Sequence, residues 1–488
     1  MDRPGLNSLG SIPGFQYSSI LVLWGVPHPP RHSYGHSTLA PLPPVPMPMP
    51  MVKVLHFSDI HLGSGLAHGQ LNPETGLNTR LEDFIQALTR CIDRALAEPV
   101  DLVLFGGDAF PDATPPPFIQ QALAQQLCRL SRVNLPTVLL VGNHDQYAHG
   151  LGGASLSIYR TLGVPGVVVG DRLQTHTLCT RSGPVQVVTL PWLTRSTLLT
   201  RPETEGLSMA QVQDLLLDRL RVALEAEIRR LQPDLPTILL AHAMVDTATY
   251  GAERFLAAGR GFTIPLALLA RPCFDYIALG HVHRHQVLCD QPLTLYPGSI
   301  ERVDFSEEKE AKGYVLVEVT RGQARAEFCP LPVRPFKTLP VDLTTTEQPQ
   351  ATLLAEIAAA DLAGAVVRCV YQIRADQVDQ VDQTALINAL ELAHSYSLQA
   401  QVQDPARVSC LPELGSDHPM DPLDALQAYL AHKPDLAPLV PALVNAATAL
   451  LTIDETPSTP SLPLYLEADL MPLEGEEEPE QAQQLRLL

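Results

Sequence analysis

The chain has 488 residues, room for two or three domains, and 45% of them are hydrophobic with a mean hydropathy of +0.07, which excludes a largely disordered protein. A formal net charge of −20 excludes a module that simply coats nucleic acid, since such proteins neutralise phosphate with Lys and Arg. An enzyme that handles phosphate through bound divalent cations stays open, because the ions bring the positive charge themselves.

Residues 1–50 differ from the rest of the chain. They end in the Pro-rich run Ala40 to Pro50, which favours polyproline geometry and forms no core, so they read as a disordered arm or as an extension ahead of a native start at Met51. Ser19 to Val26 is apolar but short, and no Ala-x-Ala site comes after it; no signal peptide is expected. A run of about 18 apolar residues is absent throughout, so no spanning helix is expected. The eight cysteines are scattered without a Cys-x-x-Cys pair, which excludes zinc-finger spacing and a dithiol motif and fits free thiols in a reducing cytosol.

From 51 to about 330 the chain alternates strands with helices. Apolar, β-branched runs fall at 52–57, 101–105, 137–141, 185–190, 237–241, 275–279, 293–296 and 314–319. Thr79 and Glu82 read as a capping box ahead of a helix whose Leu81, Phe84, Ile85, Leu88 and Ile92 share one face, and Ser208 with Gln211 reads as another ahead of Leu215 to Leu231. Such alternation predicts an α/β domain over 51–330. The Pro-rich junction Pro330 to Pro335 breaks the pattern. Residues 336–410 then read as a smaller α+β unit, with strands at 366–373 and 398–402 and a helix over 384–394. Residues 421–452 predict one or two helices. The remainder, 453–488, is acidic and Pro-rich and reads as a disordered tail; from Leu451 onward nine acids face one base, eight of the 20 excess negative charges.

Five short motifs sit at the ends of apolar runs that read as buried strands. They are Asp59-Ile-His61, Gly107-Asp108, Gly142-Asn-His-Asp145, His242, and Gly280-His-Val-His283. Ligands in open α/β sheets collect beyond the carboxyl ends of strands, so these side chains are expected to converge. Each motif alone has a plain structural reading: a surface pair, a turn after a strand, a hydrogen-bonded core histidine. Five in order make coincidence a poor account. Carboxylate, carboxamide and imidazole without thiolate are oxygen and nitrogen donors that suit Mn²⁺, and also Fe or Zn, better than a soft metal. Two cations a few ångströms apart need a shared anionic ligand, and one bridging Asp supplies it.

This ordered set resembles the calcineurin-like metallophosphoesterases. The resemblance implies their fold, two mixed β-sheets packed together and flanked by helices. It also implies two divalent metal ions, most simply Mn²⁺, one held by Asp59, His61, Asp108 and His283 and the other by Asp108, Asn143, His242 and His281. By the same resemblance His144 is not a ligand; it steadies the transition-state charge and protonates the leaving oxygen. Relatives often place an Asp or His three residues after the bridging Asp, to orient that histidine. Pro111 stands there in this chain, and Asp112, one place later, is the expected substitute.

Flanking sequence narrows the resemblance. Ser58 to Gly63, Ala278 to Arg284 and Tyr296-Pro-Gly-Ser-Ile-Glu-Arg-Val-Asp-Phe305 resemble the SbcD-type DNA nucleases, the nuclease subunits of bacterial SbcCD complexes. That resemblance implies hydrolysis of DNA phosphodiesters, as an exonuclease on duplex ends and an endonuclease on single strands and hairpins, in repair and recombination. It implies a cap domain at 336–410, a homodimer of nuclease subunits within a heterotetramer, and cytoplasmic, nucleoid-associated work away from membranes. The chain has no Gly-x-x-x-x-Gly-Lys-Ser/Thr loop; in the resembled family a separate coiled-coil ATPase subunit, SbcC, binds ATP, and 421–452 would be its docking segment. Two other functions compete. One is a small-substrate phosphodiesterase, against which the residues beyond 335 count. The other is a non-catalytic scaffold for an ATPase, against which His144 counts.

Overall fold

The computed structural model describes residues 51–147, 153–194, 204, 206–251, 262–403, 422–431 and 433–452. The expected arm at 1–50, the acidic tail at 453–488 and residues 404–410 of the expected small domain lie outside the described residues.

The strands run in chain order as β1 (Val52–Phe57), β2 (Leu102–Phe105), β3 (Thr137–Leu140), β4 (Val167–Gly170), β5 (Gln174–Thr180), β6 (Gly183–Leu190) and β7 (Thr237–His242). Then come β8 (Met244–Val245), β9 (Thr263–Ile264), β10 (Tyr276–Gly280), β11 (Gln286–Asp290), β12 (Leu293–Tyr296), β13 (Gly313–Thr320) and β14 (Gln323–Pro330). The last three, β15 (Phe336–Asp342), β16 (Val366–Arg374) and β17 (Ser395–Gln403), form a sheet of their own. The longer helices are α1 (Thr79–Ala97), α2 (Pro117–Arg132), α3 (Met209–Ile228), α4 (Pro349–Ala359), α5 (Gln383–Ala389), α6 (Pro422–Ala431) and α7 (Val440–Thr452).

Two six-stranded mixed sheets form the main body, in the orders β14-β13-β1-β2-β3-β4 and β11-β12-β10-β7-β6-β5. In each, central parallel strands carry antiparallel strands at an edge. Alternate side chains explain why the central strands read as unbroken apolar runs. Val54, Leu104 and Val138 point inward against Val187, Ile238 and Leu240 of the facing sheet, while Leu55, Val103 and Phe105 point outward onto Leu81, Phe84 and Leu88 of α1. On the other side Leu216, Leu220 and Leu224 of α3 cover Val188, Leu239 and Leu279. The result is the expected α/β fold, two mixed sheets flanked by helices.

The eight apolar runs all become strands. The edge strands β5 and β14 escaped that reading because their exposed positions are largely polar, so no continuous run exists, and β11 offers only the three apolar residues Val287 to Cys289. Two helix boundaries also differ. The N-cap of α1 is Asn78, whose side chain accepts from the Arg80 N–H at 2.9 Å, and Thr79 is already helical. Glu82 turns instead to Asn72 and Thr75, so Thr79 and Glu82 are no capping box. The Ser208–Gln211 box is present, with both reciprocal bonds. Within the small domain β15, β16 and β17 are parallel, and α5 stops at Ala389 rather than His394, because the His394 N–H is taken by the Ala365 carbonyl at the head of β16.

A buried charge network joins this small domain to α1. Arg80, fully buried, donates to Asp83 and to the Arg302 carbonyl, both at 2.7 Å, and lies 3.7 Å from Glu301. Both oxygens of Asp83 also accept from Arg334, at 2.6 and 2.7 Å. Asp83→Ala would strand Arg80 without its closest carboxylate and is expected to destabilise the chain by about 3 kcal/mol. Urea unfolding monitored by circular dichroism measures this; a loss below about 0.5 kcal/mol would show that the network does not hold the junction.

Candidate metal centre

The five strand-end motifs come together at the carboxyl ends of β1, β2, β3, β7 and β10. Main-chain bonds stitch the loops to one another: the Asp59 N–H donates to the Gly107 carbonyl, the His61 N–H to Asp108, the Leu62 N–H to Ala109, and the Ala243 N–H to Gly280. Glycine makes the close approach possible. A Cβ on Gly142 would stand 2.1 Å from Asp108 Oδ1, and one on Gly107 would stand 2.4 Å from His242 Nδ1. Five non-glycine residues among those described have positive φ, and four of them are Asp59, His61, Asp108 and His281. Backbone strain of that kind persists where surrounding structure enforces it, commonly at functional sites.

All seven candidate ligands converge. His61 Nε2 and His283 Nε2 stand 3.0 Å apart, with Asp59 completing a trio of donors. His242 Nε2 lies 3.3 Å from Asp108 Oδ2 and 3.0 Å from Asn143 Oδ1, which lies 2.9 Å from His281 Nδ1. Asp108 Oδ2 is also 3.8 Å from His61 Nε2, so its carboxylate stands between the two clusters. For ligand bonds of about 2.1 Å meeting at right angles, neighbouring donor atoms stand about 3.0 Å apart. The donor set and spacing therefore fit two cations sharing Asp108. Six of the seven are buried; Asn143, like His144, is partly open to solvent.

Outer partners orient these side chains. His242 Nδ1 donates to the Gly106 carbonyl at 2.7 Å, which turns its Nε2 inward, and His283 Nδ1 does the same through Glu307 at 2.6 Å. The Asp59 carboxylate accepts the His281 N–H, and Asp108 Oδ1 accepts the His144 N–H at 2.8 Å. Asp145, fully buried, accepts from the main chain of Gly142, Asp108 and Ala109 and so ties the β2 loop to the β3 loop. Burial, with Asp108 nearby, pushes the Asp145 carboxyl up to about 7 despite these bonds. Trp192 covers His281, its ring centroid 4.7 Å away. Glu307 and Trp192 carried no sequence signal, being remote from the motifs; Asp145 lay inside one and was readable.

The expected helper for His144 is not Asp112. That carboxylate faces Thr114, accepting from its N–H at 2.8 Å and its hydroxyl at 2.9 Å, and the residue is exposed. His144 Nδ1 donates instead to the Pro111 carbonyl at 2.7 Å. The main chain at position 111 does the orienting, and His144 Nε2 remains available to the site. The His144 ring also meets His61 edge to face, with centroids 4.9 Å apart.

Charge coupling is strong. Burial alone would lower His242 and His283, but Asp108 at one and Glu307 at the other outweigh it and raise both to about 9. Burial holds His61 and His281 well below the usual imidazole range. Asp108 would be raised by burial, yet His242, His144 and His61 keep its carboxyl well below its ordinary value.

Residues 52–285 match the calcineurin-like phosphoesterase family. Residues 52–285 thus form a calcineurin-like phosphoesterase domain, a family that hydrolyses phosphoesters with divalent metal ions. Among solved structures it is similar to TT1561 of Thermus thermophilus, at 15% identity and TM-score 0.33, over 57% of this chain and 99% of that one. A dimetal phosphatase from Danio rerio is similar at 12% identity and TM-score 0.34, over 57% of this chain and 100% of that one. The sulfate thiohydrolase SoxB of Thermus thermophilus is similar at 16% identity and TM-score 0.28, over 59% of this chain and 57% of that one.

Protonation and metal binding compete at this centre. His242 and His283, raised to about 9, hold protons at neutral pH without metal and must lose them to bind it. Metal loading at pH 7 is then expected to release about two protons, with affinity rising as pH climbs towards 9. Calorimetry in buffers of different ionisation enthalpy counts them; zero release would contradict protonated imidazoles. Separately, Asp112→Ala is expected to leave phosphodiesterase turnover within about twofold of wild type, since its carboxylate serves only the local turn. A fall of about tenfold or more in steady-state assays would restore it to the mechanism.

Proposed function

We propose that the chain is the nuclease subunit of an SbcD-type complex, hydrolysing DNA phosphodiesters with two Mn²⁺ ions in repair and recombination. The observation that carries this reading is the stretch Pro297 to Phe305. It lies outside the metal-ligand set, resembles the SbcD-type sequence, and joins the phosphoesterase domain to the small domain. Phe305 packs on Phe336 at 4.9 Å, and the Arg302 guanidinium donates to the Arg334 carbonyl at 2.9 Å. A second domain packed on the turn that lies behind His283 suits an extended substrate better than a small one.

Bound cations would polarise the phosphoryl oxygen and lower the pKa of an attacking water. The chain's own residues do the rest. Asp108 is held by the His144 N–H and stands between the two donor clusters. His144, fixed through Nδ1 by the Pro111 carbonyl, offers Nε2 to the substrate phosphate, where it steadies negative charge and passes a proton to the leaving oxygen. An acidic chain can bind a polyanion at such a place because the ions supply the local positive charge.

The partners of this reading are a second copy of the chain and an SbcC-type coiled-coil ATPase. α6 and α7 pack on each other through the turn at Pro434–Leu439 and leave Tyr429, Leu439 and Leu443 exposed, apolar side chains of the kind a helical partner covers. Among the described residues, no helix is long and apolar enough to cross a membrane.

Purified protein with Mn²⁺ should degrade linear duplex DNA and nick a hairpin, and His144→Ala should lower turnover by roughly 10²- to 10⁴-fold while retaining metal. Cleavage of a cyclic dinucleotide alone would overturn the DNA assignment. No cleavage of any substrate, with or without the ATPase subunit, would make the chain a scaffold.

A further inference from the structure

His283 is held from behind by a buried ion pair that the metal chemistry does not itself use. Its Nδ1 meets Glu307 Oε1 at 2.6 Å while its Nε2 faces the metal centre. The other Glu307 oxygen accepts from Lys312 Nζ at 2.8 Å and from the Val303 N–H at 3.0 Å. Lys312, 1% exposed, also donates to the His283 carbonyl at 3.0 Å and to Glu310 at 2.8 Å. Ring and main chain of one ligand are thus fixed by a single pair. A carboxylate on the far nitrogen sets the tautomer and makes the near nitrogen a better donor.

The turn that carries Glu307 is gripped from its other side by the small domain. The Arg368 guanidinium of β16 lies 4.4 Å above the Phe305 ring, Phe336 of β15 packs against that ring at 4.9 Å, and the Glu308 carboxylate accepts the Thr338 N–H at 3.0 Å. Arg302 closes the turn by donating to the carbonyls of Glu307 and Glu310. Of four consecutive residues, Glu307 faces the metal ligand and Phe305 and Glu308 face the small domain. One short, tightly bonded turn therefore links the small domain to the His283 ring.

We propose that Glu307 is the positioning residue of the metal subsite containing His283, and that the three-stranded domain sets the affinity of that subsite through the turn 305–308. The inference rests on the metal-centre reading and not on the nature of the phosphoester. Titration of the full chain with Mn²⁺, monitored by calorimetry and by electron paramagnetic resonance, tests it on wild type, Glu307→Gln and Arg368→Ala. Wild type should bind two ions and show the spin-coupled signal of a pair; binding of none would overturn the metal reading itself. Glu307→Gln should weaken one of the two sites on the order of 10- to 100-fold and leave the other unchanged, so that a single-ion signal replaces the coupled one at limiting metal. Arg368→Ala, which touches no candidate ligand, should weaken the same site by roughly threefold to thirtyfold while the chain stays folded by circular dichroism. Wild-type affinity in Glu307→Gln, or equal weakening of both sites, would remove Glu307 as a positioning residue. Wild-type affinity at both sites in Arg368→Ala would overturn the coupling, and this variant decides the coupling by itself; if Glu307→Gln does not fold, Lys312→Met, which removes the other half of the ion pair behind His283, replaces it, and wild-type affinity there would remove the pair as a positioning device.

Discussion

Two buried imidazole nitrogens, His61 Nε2 and His283 Nε2, stand 3.0 Å apart, and only a proton or a cation between them makes that arrangement stable. Much of the molecule around them serves to hold such donors together. Glycines 107 and 142 let strand ends approach until a single methyl group would collide with a ligand. Asp59, His61, Asp108 and His281 accept left-handed backbone conformations that unconstrained residues avoid. The energy for this comes from elsewhere, chiefly from the three apolar layers that sandwich the sheets and leave the loops no room to relax.

The same constraint explains the hydrogen bonding outside the ligand set. A ligand imidazole with its far nitrogen free could rotate or change tautomer, so His242 is bonded to the Gly106 carbonyl and His283 to Glu307. His144 obeys this logic though it is not counted among the ligands: the Pro111 carbonyl anchors it. A main-chain acceptor orients a ring as well as a carboxylate does but adds no full negative charge. His144 is consequently placed without a carboxylate partner at its Nδ1, unlike His283.

Charge is also arranged around the junction of the two domains. Arg80, Asp83, Arg302 and Arg334 are linked by hydrogen bonds, with Glu301 at 3.7 Å from Arg80, and each guanidinium donates to a carboxylate or a carbonyl. Isolated, any of them would be too costly to bury. Together they make the stretch 297–312 a stiff connection between a metal ligand and a separate sheet.

Much of the architecture was legible because it is periodic. Strands buried on both faces leave continuous apolar runs, and eight such runs became eight strands, five of them ending in the motifs that converge on the metal centre. The edge strands β5 and β14 were hidden because polar residues on the exposed face break the run, and β11 because its apolar stretch is only three residues long. The N-cap of α1 was misplaced by one residue because Asn78 and Thr79 are both competent caps, and only the backbone conformation at Asn78 decides between them. By itself, then, the sequence determined the α/β class and the types and order of the candidate ligands, since each depends on local pattern and on strands ending where apolar runs end. Only the tertiary structure decided that Pro111 rather than Asp112 orients His144, that Asp145 locks two loops, and that Glu307 and Lys312 stand behind His283. Those relations join side chains to backbone atoms or to residues far along the chain, and no spacing rule in a linear sequence encodes such contacts.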